Sequence, residues 1–188
     1  MLRLGWLTLV VAALAVAPAA SQDKNNPVVV METSMGNIKV ELFQDKAPIT
    51  VANFLKYVDD KHYDGTLFHR VLDKFMIQGG GYDEKMKLKQ TRPSIKNESD
   101  NNLSNIRGTI AMARTDDPDS ATCQFFINVV DNSRLDRANF EDKFGYCVFG
   151  KVIEGMEAVD KIRQVKTNKK GLPDDQVVIK SVRRVEKK

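Results

Sequence analysis

The chain has 188 residues, of which 42% are hydrophobic and 29% charged, which provides one globular core and argues against a disordered or collagen-like polymer. Its 29 basic residues are interspersed with 25 acidic ones for a formal charge of +4, and no basic block carries interleaved aromatics, so a nucleic-acid surface is not indicated. The first segment stands apart: Arg3 precedes an apolar run from Trp6 to Val16, and Ala17-Pro18-Ala19-Ala20 follows with small residues. That is the anatomy of a secretory signal peptide, and the run is short for a bilayer span. Residues 1–20 are therefore expected to be a signal cleaved near Ala19–Ser21, leaving no membrane attachment. Residues 21–27 are expected to be a disordered linker, and residues 28–186 the folded domain.

Within the domain, Val28 to Thr33 and Asn37 to Phe43 read as a β-hairpin turning at Ser34-Met35-Gly36. Pro48 suits the first position of a helix whose stripe is Val51, Phe54, Leu55 and Val58. Two short strands follow, Phe68 to Val71 and Phe75 to Gln78, ended by Gly79-Gly80-Gly81. A long aperiodic stretch from Tyr82 to Arg107 reads as a functional or wrapping loop. Strand patterns resume at Thr109 to Ala113, Gln124 to Val130, Phe144 to Val152 and Val177 to Val185. Met156, Ala158, Val159 and Ile162 mark a second helix. Many short strands with two amphipathic helices predict a mainly β fold, an antiparallel barrel or sandwich capped by the helices. Cys123 and Cys147 each open an apolar strand-like run, and either a disulfide in an oxidising compartment or two free buried thiols is compatible with that placement.

The chemistry concentrates in Phe68 to Gly80. Period-two alternation in two short strands would bring Arg70, Phe75 and Gln78 to the rim of one pocket. An apolar slot beside a permanent cation and an amide suits gripping a peptide and polarising its amide bond. Other chemistries lack their parts. His62 and His69 are the only histidines, and no metal-ligand spacing accompanies them. No Gly-x-Ser-x-Gly turn supports a hydrolase triad, and Gln78-Gly79-Gly80-Gly81 lacks the lysine of a phosphate loop. Asp116-Asp117-Pro118-Asp119 lacks the twelve-residue spacing of a calcium loop.

Three motifs in order, Phe68-His69-Arg70…Phe75-Met76-x-Gln78-Gly79-Gly80, Gly108-Thr-Ile-Ala-Met112-Ala113 and Gln124-Phe125-Phe126-Ile127, resemble the cyclophilin family of peptidyl-prolyl isomerases, and most closely its exported bacterial branch. The similarity runs from about Val28 to Val185. It implies a closed eight-stranded antiparallel barrel capped by two α-helices. It implies further that Arg70 is catalytic with Gln78, and that His69, Phe75, Met76, Ala113, Gln124, Phe126, Leu135 and Tyr146 contact substrate. Arg114 and Arg134 would stand at the rim. Arg134 occupies the place of the family's common tryptophan, Tyr146 that of a common histidine and Arg114 that of an asparagine. The implied partners are proline-containing polypeptides, with at most weak binding of cyclosporin. No cofactor or metal is called for, a monomer is expected, and the periplasm is the implied compartment. A non-catalytic holder of proline-containing peptides is the rival reading.

Overall fold

The computed structural model describes residues 26–186; the expected signal and most of the expected linker lie outside the described residues. The elements run β1 (Val28–Thr33), β2 (Gly36–Leu42), α1 (Pro48–Asp59), β3 (Thr66–Leu67), β4 (Arg70–Leu72), β5 (Met76–Gly79), β6 (Thr109–Met112), β7 (Phe125–Asn128), β8 (Val148–Glu154), α2 (Met156–Arg163) and β9 (Val178–Arg184). All nine strands belong to one antiparallel sheet in the order β3-β9-β1-β2-β8-β6-β7-β5-β4. The two strands at the ends of that order are separated in the chain only by Phe68 and His69, so the curled sheet returns on itself there. Leu67 N donates to Tyr82 O at 2.9 Å and Phe68 N to Val177 O at 2.9 Å across this junction. β3 and β4 are two pieces of one interrupted strand, which reconciles nine observed strands with the eight expected.

Period-two alternation sorts the side chains between two apolar clusters. Val71, Ile77, Ile110, Met112, Phe125 and Ile127 point into the closed interior, where they meet Val29, Met31, Phe54 and Phe149. Their alternate neighbours Met76, Ala111, Phe126 and Val148 point outward and join Leu135 in a smaller cluster. The barrel is thus filled, and apolar residues on its outer face need a second cover. The long loops supply it.

α1 begins at Pro48 as its sequence predicts, but Ala47 gives no side-chain cap. Glu98, from the long loop after β5, does that work from a distance: its carboxylate accepts from Ile49 N at 3.0 Å, Thr50 N at 2.7 Å and Thr50 Oγ1 at 2.8 Å. A carboxylate here also complements the positive end of the helix. The aperiodic loop is therefore a strap tied to the helix it crosses.

Several boundaries differ from expectation, each for a local reason. Asn26, within the expected linker, is buried and donates to Glu41 Oε1 at 3.1 Å. β8 starts at Val148 rather than Phe144. Asp142 Oδ1 accepts from Phe144 N at 2.7 Å and Gly145 N at 3.0 Å, and Gly145 has φ +60°, so those residues turn instead of pairing. Cys123 and Cys147 are free, buried thiols, so the candidate disulfide is not formed. They precede β7 and β8, which lie on either side of β6. Two strand spacings amount to about 10 Å, beyond the roughly 7 Å that a bridge spans. Burial pushes the Cys147 thiol up to about 12, despite a contact with Thr50 Oγ1 at 3.6 Å.

Candidate active site

The outward residues of β4, β5 and β7 form one wall of a cavity of about 450 Å³. Register fixes that wall: Arg70 lies opposite Gln78, and Gln78 opposite Phe126. Phe75 and Met76 complete it at the lower end. Ala113, just past β6, lies beside it. The facing wall is irregular and comprises Arg134, Leu135, Phe140 and Tyr146, with Arg114 behind. An apolar floor of Met76, Phe126 and Leu135 is almost wholly buried, which suits a compact non-polar ring.

The polar edge is a chain of side chains. Arg70 Nη1 donates to Gln78 Oε1 at 3.4 Å, and Gln78 Nε2 donates to Gln124 Oε1 at 2.9 Å. Because Gln78 uses its amide nitrogen on Gln124, its oxygen faces the guanidinium and holds it over the pocket. Gln124 can come so close because residue 81 is glycine: a Cβ there would stand 2.6 Å from the Gln124 side chain. Gly80 just before it has φ +85°, and a Cβ there would meet the Tyr63 ring at 2.8 Å. The glycine run therefore serves close approach, not phosphate binding.

The irregular wall is held by polar groups rather than by strand pairing. Asp136 accepts from Asn105 N at 2.7 Å, from Asn105 Nδ2 at 3.0 Å and from Ser104 Oγ at 2.5 Å. Asn132 Nδ2 donates to Phe75 O at 2.8 Å and to Asn128 Oδ1 at 2.8 Å, which ties this wall to the strand wall. Phe126 and Phe140 each meet Tyr146 edge-on, at centroid distances of 5.7 and 5.2 Å.

Of the expected site residues, Arg70, Phe75, Met76, Gln78, Ala113, Phe126, Leu135 and Tyr146 surround this one cavity, and Gln124 reaches it through Gln78. His69 does not line it. The strand is interrupted at Phe68 and His69, and the His69 ring lies against Tyr82, 4.6 Å between centroids; burial lowers its pKa, with a further push from Arg70. Arg114 is a strut rather than a free rim cation. Its side chain is only 3% exposed, pairs with Asp142, donates from Nε to Gly145 O at 2.9 Å and lies 4.7 Å from the Tyr146 ring centre. Arg134 is exposed at the rim, stacked 4.9 Å above the Phe75 ring. Phe140 was not anticipated. Its only signal was an isolated aromatic in the otherwise polar stretch 131–143. Among the described residues no cluster of histidine, cysteine or acidic side chains could hold a metal.

The family model described as "Cyclophilin type peptidyl-prolyl cis-trans isomerase/CLD" matches residues 28–184. The chain belongs to this family. It is 48% identical over 188 residues to peptidyl-prolyl cis-trans isomerase A of Dickeya dadantii, covering 98% of this chain and 97% of that one. It is 51% identical to peptidyl-prolyl cis-trans isomerase B of Escherichia coli over 82% of this chain and 98% of the relative. A crystal structure of a cyclophilin type peptidyl-prolyl cis-trans isomerase from Cryptosporidium parvum superposes with a TM-score of 0.70 at 26% identity, over 87% of this chain and 99% of that one. The same enzyme in the presence of the dipeptide Ala-Pro gives a TM-score of 0.68 at 27% identity, over 85% and 99%. This cyclophilin is thus a peptidyl-prolyl cis-trans isomerase.

Proposed function

We propose that the cavity accelerates rotation about X-Pro bonds by holding the proline ring on the Met76–Phe126–Leu135 floor while Arg70 stabilises the twisted amide. The observation that carries this reading is the aim of Arg70: a guanidinium steadied by Gln78 at the lip of an apolar slot. Rotation about the amide breaks its resonance, which accounts for a barrier of about 18–20 kcal/mol. In the twisted state the lone pair localises on the proline nitrogen, which becomes a hydrogen-bond acceptor it was not in either planar isomer. Arginine stays charged wherever proteins fold. A donor aimed at that nitrogen therefore binds the transition state better than the cis or trans ground state, which is what raises a rate. Gln78 and Gln124 offer amides to the substrate backbone on the same side. No proton is moved and no covalent bond forms.

The first twenty residues, with the anatomy of a secretory signal, support a role outside the cytosol, in the periplasm, where the enzyme would speed proline-limited folding of exported proteins. The stacked Arg134 in place of an aromatic rim supports weak cyclosporin binding. The decisive experiment follows refolding of a proline-limited protein by the domain spanning residues 26–186. Acceleration at substoichiometric enzyme, lost in Arg70→Ala, is expected. A stoichiometric requirement would point to holding rather than turnover, and an unaltered rate in Arg70→Ala would remove Arg70 from the mechanism. Cell fractionation with sequencing of the mature N-terminus tests export.

A further inference from the structure

Three arginines line the cavity, Arg70, Arg114 and Arg134, and no carboxylate does. Their situations differ. Arg114 is buried and neutralised by Asp142. Arg70 is engaged by an uncharged amide. Arg134 lies on the face of Phe75, and among the described residues no carboxylate forms an ion pair with it. Of the acidic side chains near it in sequence, Asp136 is committed to Ser104 and Asn105, Asp131 to the Arg107 amide and Asp142 to Arg114, and Glu141 forms no ion pair with it. Stacking fixes the guanidinium plane over the aromatic wall while leaving its N–H edge free for a planar acceptor. Arg134 therefore stands at the mouth of the proline slot as a positioned, uncompensated cation.

We propose that Arg134 makes this isomerase selective for proline segments that carry an aspartate or glutamate within a residue or two of the proline, by pairing its Phe75-stacked guanidinium with that carboxylate. The inference rests on the reading of the cavity as the X-Pro site. Two uncompensated cations facing the same groove also raise the local concentration of acidic segments and disfavour lysine or arginine beside the proline. The pair forms at an exposed rim, so the selectivity is modest: an exposed ion pair corresponds to about a two- to fivefold preference. It weakens in salt as the Debye length shrinks from about 10 Å at 0.1 M to about 3 Å at 1 M.

The test uses peptides identical except for Asp against Asn, or Glu against Gln, beside the proline, together with an alanine version. Turnover is followed by NMR exchange, which needs no coupled protease. The wild-type domain is expected to show kcat/KM two- to fivefold higher for each acidic peptide than for its amide isostere. The ratio should fall to about one in Arg134→Gln and at 1 M salt, persist in Arg134→Lys, and invert toward a lysine-containing peptide in Arg134→Glu. Equal rates for the acid and amide peptides in wild type, or a ratio unchanged in Arg134→Gln, overturns the proposal. The alanine peptide separates the two readings: turnover of it without any acidic preference defeats the selectivity alone, whereas no turnover of any peptide defeats the site assignment beneath it.

Discussion

The two walls of the cavity are built by different means. One is strand: Arg70, Met76, Gln78 and Phe126 occupy β4, β5 and β7, and their directions follow from backbone hydrogen bonding and alternation. The other is loop: Arg134, Leu135, Phe140 and Tyr146 are held by Asp136, Asn105 and Asn132, with the Arg114–Asp142 pair bracing it from behind. A strand places a group with little freedom, which suits the role proposed for Arg70 at a fleeting twisted amide. A loop held by side-chain bonds accepts substitution without disturbing the barrel. That is where Arg134 stands, stacked on Phe75.

The contrast can be broken from either side. Arg70→Ala should leave the circular dichroism spectrum and melting temperature near wild type while cutting the isomerisation rate by about a hundredfold or more, the scale of losing an electrostatic donor in a transition state. Proline-peptide exchange measures it, and a loss below about tenfold would move the critical group elsewhere. Asp136→Ala removes the acceptor for three donors, two of them from Asn105, which is fully buried. We expect about 2–4 kcal/mol of lost stability by urea titration, given the cost of orphaned buried donors. The KM should rise more than kcat falls, since the loop wall binds and the strand wall acts.

A smaller effect is expected for Gln124→Ala. It frees the Gln78 amide to turn, so Arg70 loses its steadying oxygen, and a several-fold drop in kcat should follow with stability changed by only about 1 kcal/mol. An unchanged kcat would show that Arg70 orients itself. The smallest effect concerns pH. Burial depresses the folded-state pKa of His62 and His69, so the unfolded chain takes up protons first as pH falls below about 6.5. Stability should be fully present above that pH and decline as pH drops through the depressed folded values. His69→Gln should make that decline shallower in thermal melts. Because Arg70 needs no proton transfer, the rate itself should stay flat across the neutral range, so a bell-shaped profile would contradict the mechanism.

The strand wall was legible in the amino-acid sequence. Arg70, Met76 and Gln78 lie within nine residues and share one face by strand alternation, and Phe75 joins them from the turn before β5. The sequence also marked both helices, since Pro48 and the apolar stripes act locally. The rest depends on partners distant in the chain. Glu98 caps α1 across 49 residues, and Arg114 becomes a strut because Asp142 and Gly145 O fold back onto it. The two cysteines stay apart because β6 intervenes. His69 leaves the groove because the strand is interrupted at that residue. Phe140 joins the cavity only when the Asp136 network closes the loop. Local periodicity reads out the direction of a side chain on a regular strand. The burial, pairing or freedom of a charge is set by what the completed fold brings against it, and that is why Arg114 and Arg134, alike in sequence as rim cations, came to do opposite things.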